Sequence, residues 1–170
     1  MEIILILIAI IALLSLEYIK IYNKIQDNLL KIEKAKSIID QDLREKYDLI
    51  TKINTYFTNV ENKNQKDYLK ELKNIDPKEI SSFELERKLM TSENTLLDLY
   101  NDKNEYQENQ EIKDLFKELK TKNEKIIAGV SYFNNYTSQL NSYIRKIPQN
   151  IVALISHTKQ SPFFDGKERH

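Results

Sequence analysis

The sequence holds two imidazoles, His157 and His170, both near its C-terminal end, and no cysteine. Thiol nucleophiles, disulfide frameworks and cysteine-based zinc or iron–sulfur centres are therefore excluded. No H-E-x-x-H, P-loop, G-x-G-x-x-G or G-x-S-x-G pattern occurs. The paired E-x-x-H ligands of a di-metal bundle are missing too, because neither histidine falls in a long patterned segment. His157, in Ile155-Ser156-His157-Thr158, has no second nitrogen ligand nearby and reads as an exposed residue at a helix end. Carboxylates are abundant but interleaved with cations, as in Glu84, Glu86, Arg87 and Lys88, the pattern of a solvated helix face. The expected catalytic, cofactor-binding and metal-ligating sets are all empty: the chain reads as a non-enzyme without a cofactor.

Four polar residues interrupt otherwise apolar seams: Asn123 and Thr137 late in the chain, answered by Lys36 and Lys46 early in it. Buried polar residues in a helical bundle commonly fix register, and that role is expected here in preference to a ligand site. Ten tyrosines are scattered without a basic patch between them, and 26 Lys and Arg balance 26 Asp and Glu. Neither stacking nor a global field draws the chain to nucleic acid.

The elements that carry these residues are helical. Only two Gly and three Pro occur in 170 residues, too few for a sandwich or barrel with frequent turns. Tyr22, Ile25, Leu29, Ile32, Lys36, Ile39, Leu43, Lys46, Ile50, Ile53, Phe57 and Val60 alternate three and four apart, and ten of the twelve are apolar or aromatic. Asn62-Lys63-Asn64 is the expected turn, followed by a short helical piece over 65–75. Asp76, Pro77 and Glu79 form a helix-start signature, and the helix they begin carries Ile80, Phe83, Leu85, Leu89, Leu96 and Leu99. The last helix carries Ile112, Phe116, Leu119, Asn123, Ile126, Val130, Phe133, Thr137, Leu140, Ile144, Ile147 and Ile151, with Pro148 kinking or ending it. A lone amphipathic helix cannot bury its stripe, so these helices must pack on one another. The expectation is an all-α protein: an elongated antiparallel up-and-down bundle of three long arms, the middle one broken, about four helices in all. Phe133 and Leu140 are expected to touch the first helix or the 85–96 helix. Spacing near 3.5 predicts a slight left-handed supercoil of coiled-coil type.

The start of the chain is different. Residues 3–16, IILILIAIIALLSL, carry no charge. Fourteen residues cover only about 21 Å, but continuing through Tyr18, Lys20 and Tyr22 approaches the roughly 30 Å of a hydrocarbon core, with tyrosines and a snorkelling lysine at the interface. A cleaved signal peptide would need a basic n-region and an A-x-A-like site, and neither is present. The domain expectation is a transmembrane anchor over 1–21, a helical bundle over 22–157, and a tail over 158–170 containing Pro162-Phe163-Phe164. Lys20, Lys24, Lys31, Lys34 and Lys36 follow the run and nothing basic precedes it except the terminal amine. The positive-inside rule then puts a short N-terminus outside and the bundle in the cytoplasm.

Particular residues resemble a known family. Tyr22-Asn23 after the anchor, and Ile39-Asp40-Gln41-Asp42-Leu43-Arg44-Glu45-Lys46-Tyr47-Asp48-Leu49-Ile50, are similar to the first helix of LemA family proteins. Phe133-Asn134, Leu140-Asn141 and Ile147-Pro148, seven apart, resemble that family's Y-N, Y-N, F-P series, and Asn150-Ile151-Val152-Ala153 and Pro162-Phe163-Phe164 resemble its ending. Thr51, Val130 and Tyr106-Gln107 depart from its usual residues. The resemblance implies a bacterial, single-pass membrane protein with a helical bundle inside, and it carries over no catalytic residues. Asn134 and Asn141 are expected as a polar ladder to a neighbouring helix, with a partner-recognition strip as the alternative. The functional expectation is a non-enzymatic scaffold or interaction protein, partnered by the lipid bilayer through its first helix and by an unidentified protein. An enzyme-complex subunit and an outward-facing or secreted bundle after signal cleavage are the alternatives.

Overall fold

The computed structural model describes residues 1–60, 69, 72, 75–77, 79–102 and 104–164. Five helices occur among them: α1 (Glu2–Val60), α2 (Ser82–Asp102), α3 (Asn104–Glu108), α4 (Gln110–Tyr143) and α5 (Gln149–Ile155). The chain is all-α, and no strand occurs among the described residues. α1 runs unbroken because the first proline is Pro77 and the first glycine is Gly129. The turn expected at Asn62-Lys63-Asn64 and most of the 65–75 piece lie outside the described residues.

Two compact units divide the chain, one over residues 36–130 and one over 1–35 with 131–170. In the 36–130 unit, Ile39, Leu43, Ile50, Ile53 and Phe57 of α1 are buried together with Leu85, Leu89 and Leu96 of α2, Tyr106 of α3, and Ile112, Phe116, Leu119 and Ile126 of α4. Phe57 is the hub of the aromatic part, with ring centroids 5.0 Å from Tyr106 and 6.4 Å from Phe116. Gly129 lets α4 approach α1 closely, since a Cβ there would lie 3.0 Å from Ile39 Cγ1. α4 runs antiparallel to α1, Gly129 meeting Ile39, Lys122 meeting Asp42 and Phe116 meeting Phe57. α2, by contrast, follows α1 in the same sense: Ser82 bonds Asp40 and Glu93 bonds Lys46. The chain has come back toward the level of Asp40 before α2 begins.

α2 starts five residues later than its Asp76-Pro77 signature suggests. Ser81 is the cap: its hydroxyl accepts from Glu84 N at 3.3 Å and its carbonyl accepts the first helical bond from Leu85 N at 2.9 Å. Asp76 precedes a turn instead, its carbonyl accepting from Glu79 N. Both stretches carry the cap-plus-Glu pattern, and Ser81 is the one that directly precedes the buried column Leu85, Leu89, Ser92 and Leu96. α4 is capped by Asn109, whose Oδ1 accepts from Glu111 N and Ile112 N.

In the unit formed by 1–35 and 131–170, α1 buries Ile21, Ile25, Asn28, Ile32 and Ala35, and α4 buries Phe133, Thr137, Leu140 and Ile144, with Val152 and Ala153 of α5. The expected seam of α1 is corrected here. Tyr22 and Lys36 are exposed and Leu29 is only partly covered, while Ile21, Asn28 and Ala35 take their places. A strict 3.5 spacing drifts about 20° per heptad on a straight helix. The buried column recovers that drift with two successive four-residue steps, Ala35 to Ile39 to Leu43. Val60, at the end of α1, is exposed as well. In the last arm Ile147 and Ile151 are exposed, because α4 ends at Tyr143 and the turn before α5 resets the register. Phe133 is buried, and the ring packed edge-on to it is Phe164, at 6.2 Å.

Candidate functional site

The segment 39–50 distributes its charges by helical position. Asp40 accepts a bidentate bond from Arg44 at 2.8–3.0 Å and a third from Ser82 Oγ at 3.0 Å, while Arg44 also donates to the Pro77 carbonyl. Asp42 and Glu45 both hold Lys122 of α4, and Gln41 donates to Glu45. Lys46 reaches Glu93 of α2 at 2.7 Å, with side chains only 6% and 12% exposed, and Asn123 of α4 donates to the other Glu93 oxygen. Three helices are thus joined in one polar layer, Lys46–Glu93–Asn123.

The electrostatics follow from these pairings. The hydrogen bond to Glu45 holds the Lys122 ammonium above the usual lysine range, and the same bond holds the Glu45 carboxyl low. Burial pushes the half-buried Glu86 carboxyl up, against the pull of the nearby Lys46 charge. Asp40, Asp42, Glu45 and Glu93 each have a cation within the chain, which suits a register lock. Among the described residues no group of three or more His, Cys, Asp or Glu side chains is placed to hold a metal ion. Of the four seam-interrupting residues, the structure joins Lys46 and Asn123 through Glu93. Lys36 is exposed, and Thr137, fully buried, has no hydrogen-bond partner for its hydroxyl among the described residues. The Glu93 bridge was missed at the sequence level, although Glu93 lies on the column one residue after the seam serine Ser92.

The second constellation lies in the unit of 1–35 and 131–170. Asn141 Nδ2 donates to the Ser161 carbonyl and its Oδ1 accepts from Ser161 N, both at 2.9 Å. Seven residues earlier, Asn134 Oδ1 accepts from Phe164 N at 2.9 Å, and at the other end Arg145 donates to Gln160 Oε1 at 2.8 Å. An amide offers a donor and an acceptor side by side, so it pairs with an extended backbone as a neighbouring strand would. Pro162, between the pinned residues, has no N–H to satisfy. The ladder expected to face a helix therefore holds the chain's own C-terminal segment, with Phe164 against Phe133. Nearby, Lys31 lies over the Tyr136 ring at 5.1 Å and bonds Asp27 at 2.8 Å.

Residues 156–158 finish α5 as a Schellman motif: Thr158 N donates to Ala153 O at 2.8 Å and His157 N to Leu154 O at 3.2 Å. His157 occupies the left-handed position, φ 54°, and is exposed, so the helix-end reading holds.

Asn141→Ala is expected to release residues 160–164 with little effect on the helices. It removes two half-buried bonds, each contributing about 0.5–1.5 kcal/mol. Backbone hydrogen exchange should accelerate at Ser161 and Phe164 and stay unchanged in the 85–96 core; unchanged exchange at Ser161 would show that the amide is not what holds the segment.

No curated protein and no solved structure matches the chain. The model of the LemA family matches it over residues 35–170, a stretch that contains the Asp40–Lys46 charge set, the Asn134 and Asn141 clasp and the segment it holds. The chain belongs to the LemA family.

Proposed function

We propose that this LemA family protein is a single-pass membrane protein, held by residues 1–21, whose helical body lies on the cytoplasmic side and acts as a non-enzymatic scaffold for a protein partner. The observation that carries the reading is the start of α1. Residues 3–16 are free of charge, continuous in one helix, and exposed on every side. A core helix of a soluble protein would have its apolar face covered, whereas every residue from 1 to 17 is exposed. Helix α1 is the one described helix long and apolar enough to cross a membrane. Tyr18 and Tyr22 stack at 6.2 Å where the run gives way to charged residues, a position suited to the interface. The lysines that follow supply the orientation. The scaffold reading draws support from the ionisable clusters, whose members are engaged in holding helices together.

Deleting residues 1–21 should move the protein from the membrane pellet to the soluble fraction. A reporter active only in the cytoplasm, fused after His170, should be active on the full chain. A truncated form that stays in a salt-washed pellet would sink the anchor, and activity of an outside-only reporter would reverse the orientation.

A further inference from the structure

Beyond the first helix, the described residues leave one cluster of apolar side chains exposed. Ile147, Ile151, Leu154 and Ile155 are 80%, 53%, 76% and 58% exposed, within nine residues. In α5 the buried side is Val152 and Ala153, and Ile151, Leu154 and Ile155 share the opposite face. The other exposed apolar residues after Tyr22 are spaced singly along their helices, which is ordinary for a soluble surface. Four together are not.

The place of α5 within its unit is fixed by contacts. Lys31 meets Tyr136, and beyond it Thr137, Leu140 and Ile144 are buried in the same unit as Ile21 and Ile25, so α4 runs back along α1 toward the apolar end. From Tyr136 to the end of α4 at Tyr143 is about 10 Å, which on α1 leads from Lys31 to the level of Lys24. The chain then reverses: Gln160 lies beside Arg145, Ser161 beside Asn141 and Phe164 beside Asn134. Residues 146–159 are therefore the apex of a hairpin, at the end of the unit where α1 passes Tyr22 and Tyr18 into the charge-free run.

Charge adds a second, independent observation. From residue 125 to 164 the sequence has no Asp or Glu, although the whole chain is neutral. The cations at the apex and its base are Arg145, Lys146 and Lys159, and Arg145 and Lys159 line a concavity of about 540 Å³ beside α5 together with Asn150, Thr158 and Gln160.

We propose that α5 is a membrane-surface helix, its Ile151, Leu154 and Ile155 face, with Ile147 of the preceding turn, seated at the headgroup–acyl boundary of an anionic leaflet with Arg145, Lys146 and Lys159 against the lipid phosphates. The proposal rests on the anchored reading for how the apex reaches the bilayer. An apolar face flanked by cations is the composition that binds in the interface plane, and anionic headgroups add attraction for each cation near the surface. The anchor fixes the chain to the bilayer at one point, and α5 supplies a second contact that sets how the body stands on it.

The absence of cysteine allows single reporters in the full-length protein. Ile8→Cys, Leu154→Cys and the exposed α4 control Ser138→Cys would each carry an environment-sensitive fluorophore in vesicles of phosphatidylcholine with phosphatidylglycerol. Lipids spin-labelled near the headgroup should quench the label at 154 several-fold more than at 138, and lipids labelled deep in the chain should quench it at 8. Lys146→Gln with Lys159→Gln should weaken the quenching at 154 several-fold, as should vesicles of phosphatidylcholine alone. Equal quenching at 154 and 138 overturns the proposal, and quenching at 8 would then leave the anchor standing. Quenching at 154 but not at 8 upholds α5 as a surface helix and sinks the anchor. Excimers between pyrene labels at 154 would give the face to a second copy of the chain and overturn the proposal.

Discussion

Lys46→Met is expected to destabilise the helical body by about 3–5 kcal/mol, because it leaves the Glu93 carboxylate buried and without its cation. The pair is far from a surface ion pair, both side chains being largely withdrawn from water at 2.7 Å. Asn123 still donates to Glu93 in the variant, but one neutral donor does not replace a counter-ion. Removing the whole layer, with Lys46→Met, Glu93→Leu and Asn123→Leu together, should restore most of the loss, since no charge is left buried and the replacements fill similar volume. Urea unfolding of the full-length protein in detergent micelles, followed by far-ultraviolet circular dichroism, measures both. A single-variant loss no larger than the about 0–1 kcal/mol of an exposed pair would mean that the layer is solvated in solution. A triple variant as unstable as the single one would mean that the layer carries packing the apolar residues cannot replace.

The same layer shows what the sequence discloses and what it withholds. The helices were legible, because long apolar columns at three-and-four spacing survive a modest error of phase, and the all-α class follows from scarce Gly and Pro. Lys46 and Asn123 stood out as polar residues in apolar columns. Their common partner did not, since Glu93 sits one residue off its own seam and only the three-dimensional meeting of α1, α2 and α4 makes it the bridge. Directions were harder still. A single stripe is indifferent to whether its neighbour runs up or down, and the parallel course of α2 beside α1 is set by where the chain turns back, which the Asp40–Ser82 and Arg44–Pro77 bonds record. Asn134 and Asn141 were legible as a pair seven apart, yet an amide pairs equally well with a helix side chain or an extended backbone. The structure supplies the missing partner, residues 161–164. Ile147 and Ile151 are expected in the seam because they continue the numerical spacing of α4 past the residue where the helix ends, and both are exposed.

Phe57→Ala should produce a loss of comparable size by a different route. Phe57 is 1% exposed, and among the described residues its ring meets Tyr56 at 5.7 Å, Tyr106 at 5.0 Å and Phe116 at 6.4 Å. Truncating a buried phenylalanine costs about 3–5 kcal/mol through lost transfer energy and the cavity left behind. The edge-on geometry with Tyr106, 74° between planes, adds to the contact energy, as aromatic pairs contribute about 0.5–1.5 kcal/mol beyond their area. The neighbours are held from three helices, α1, α3 and α4, so they cannot close over the gap by a single shift. Val60 is the comparison, three residues on in the same expected column but 46% exposed. Val60→Ala should change stability by no more than about 0.5 kcal/mol, the range of surface substitutions. In the full-length protein the two urea midpoints should therefore separate clearly, and Phe57→Leu should fall between them because it keeps most of the volume. Coincident midpoints for Phe57→Ala and Val60→Ala would place the end of the buried column before Phe57 and would remove the aromatic hub from the core of the 36–130 unit.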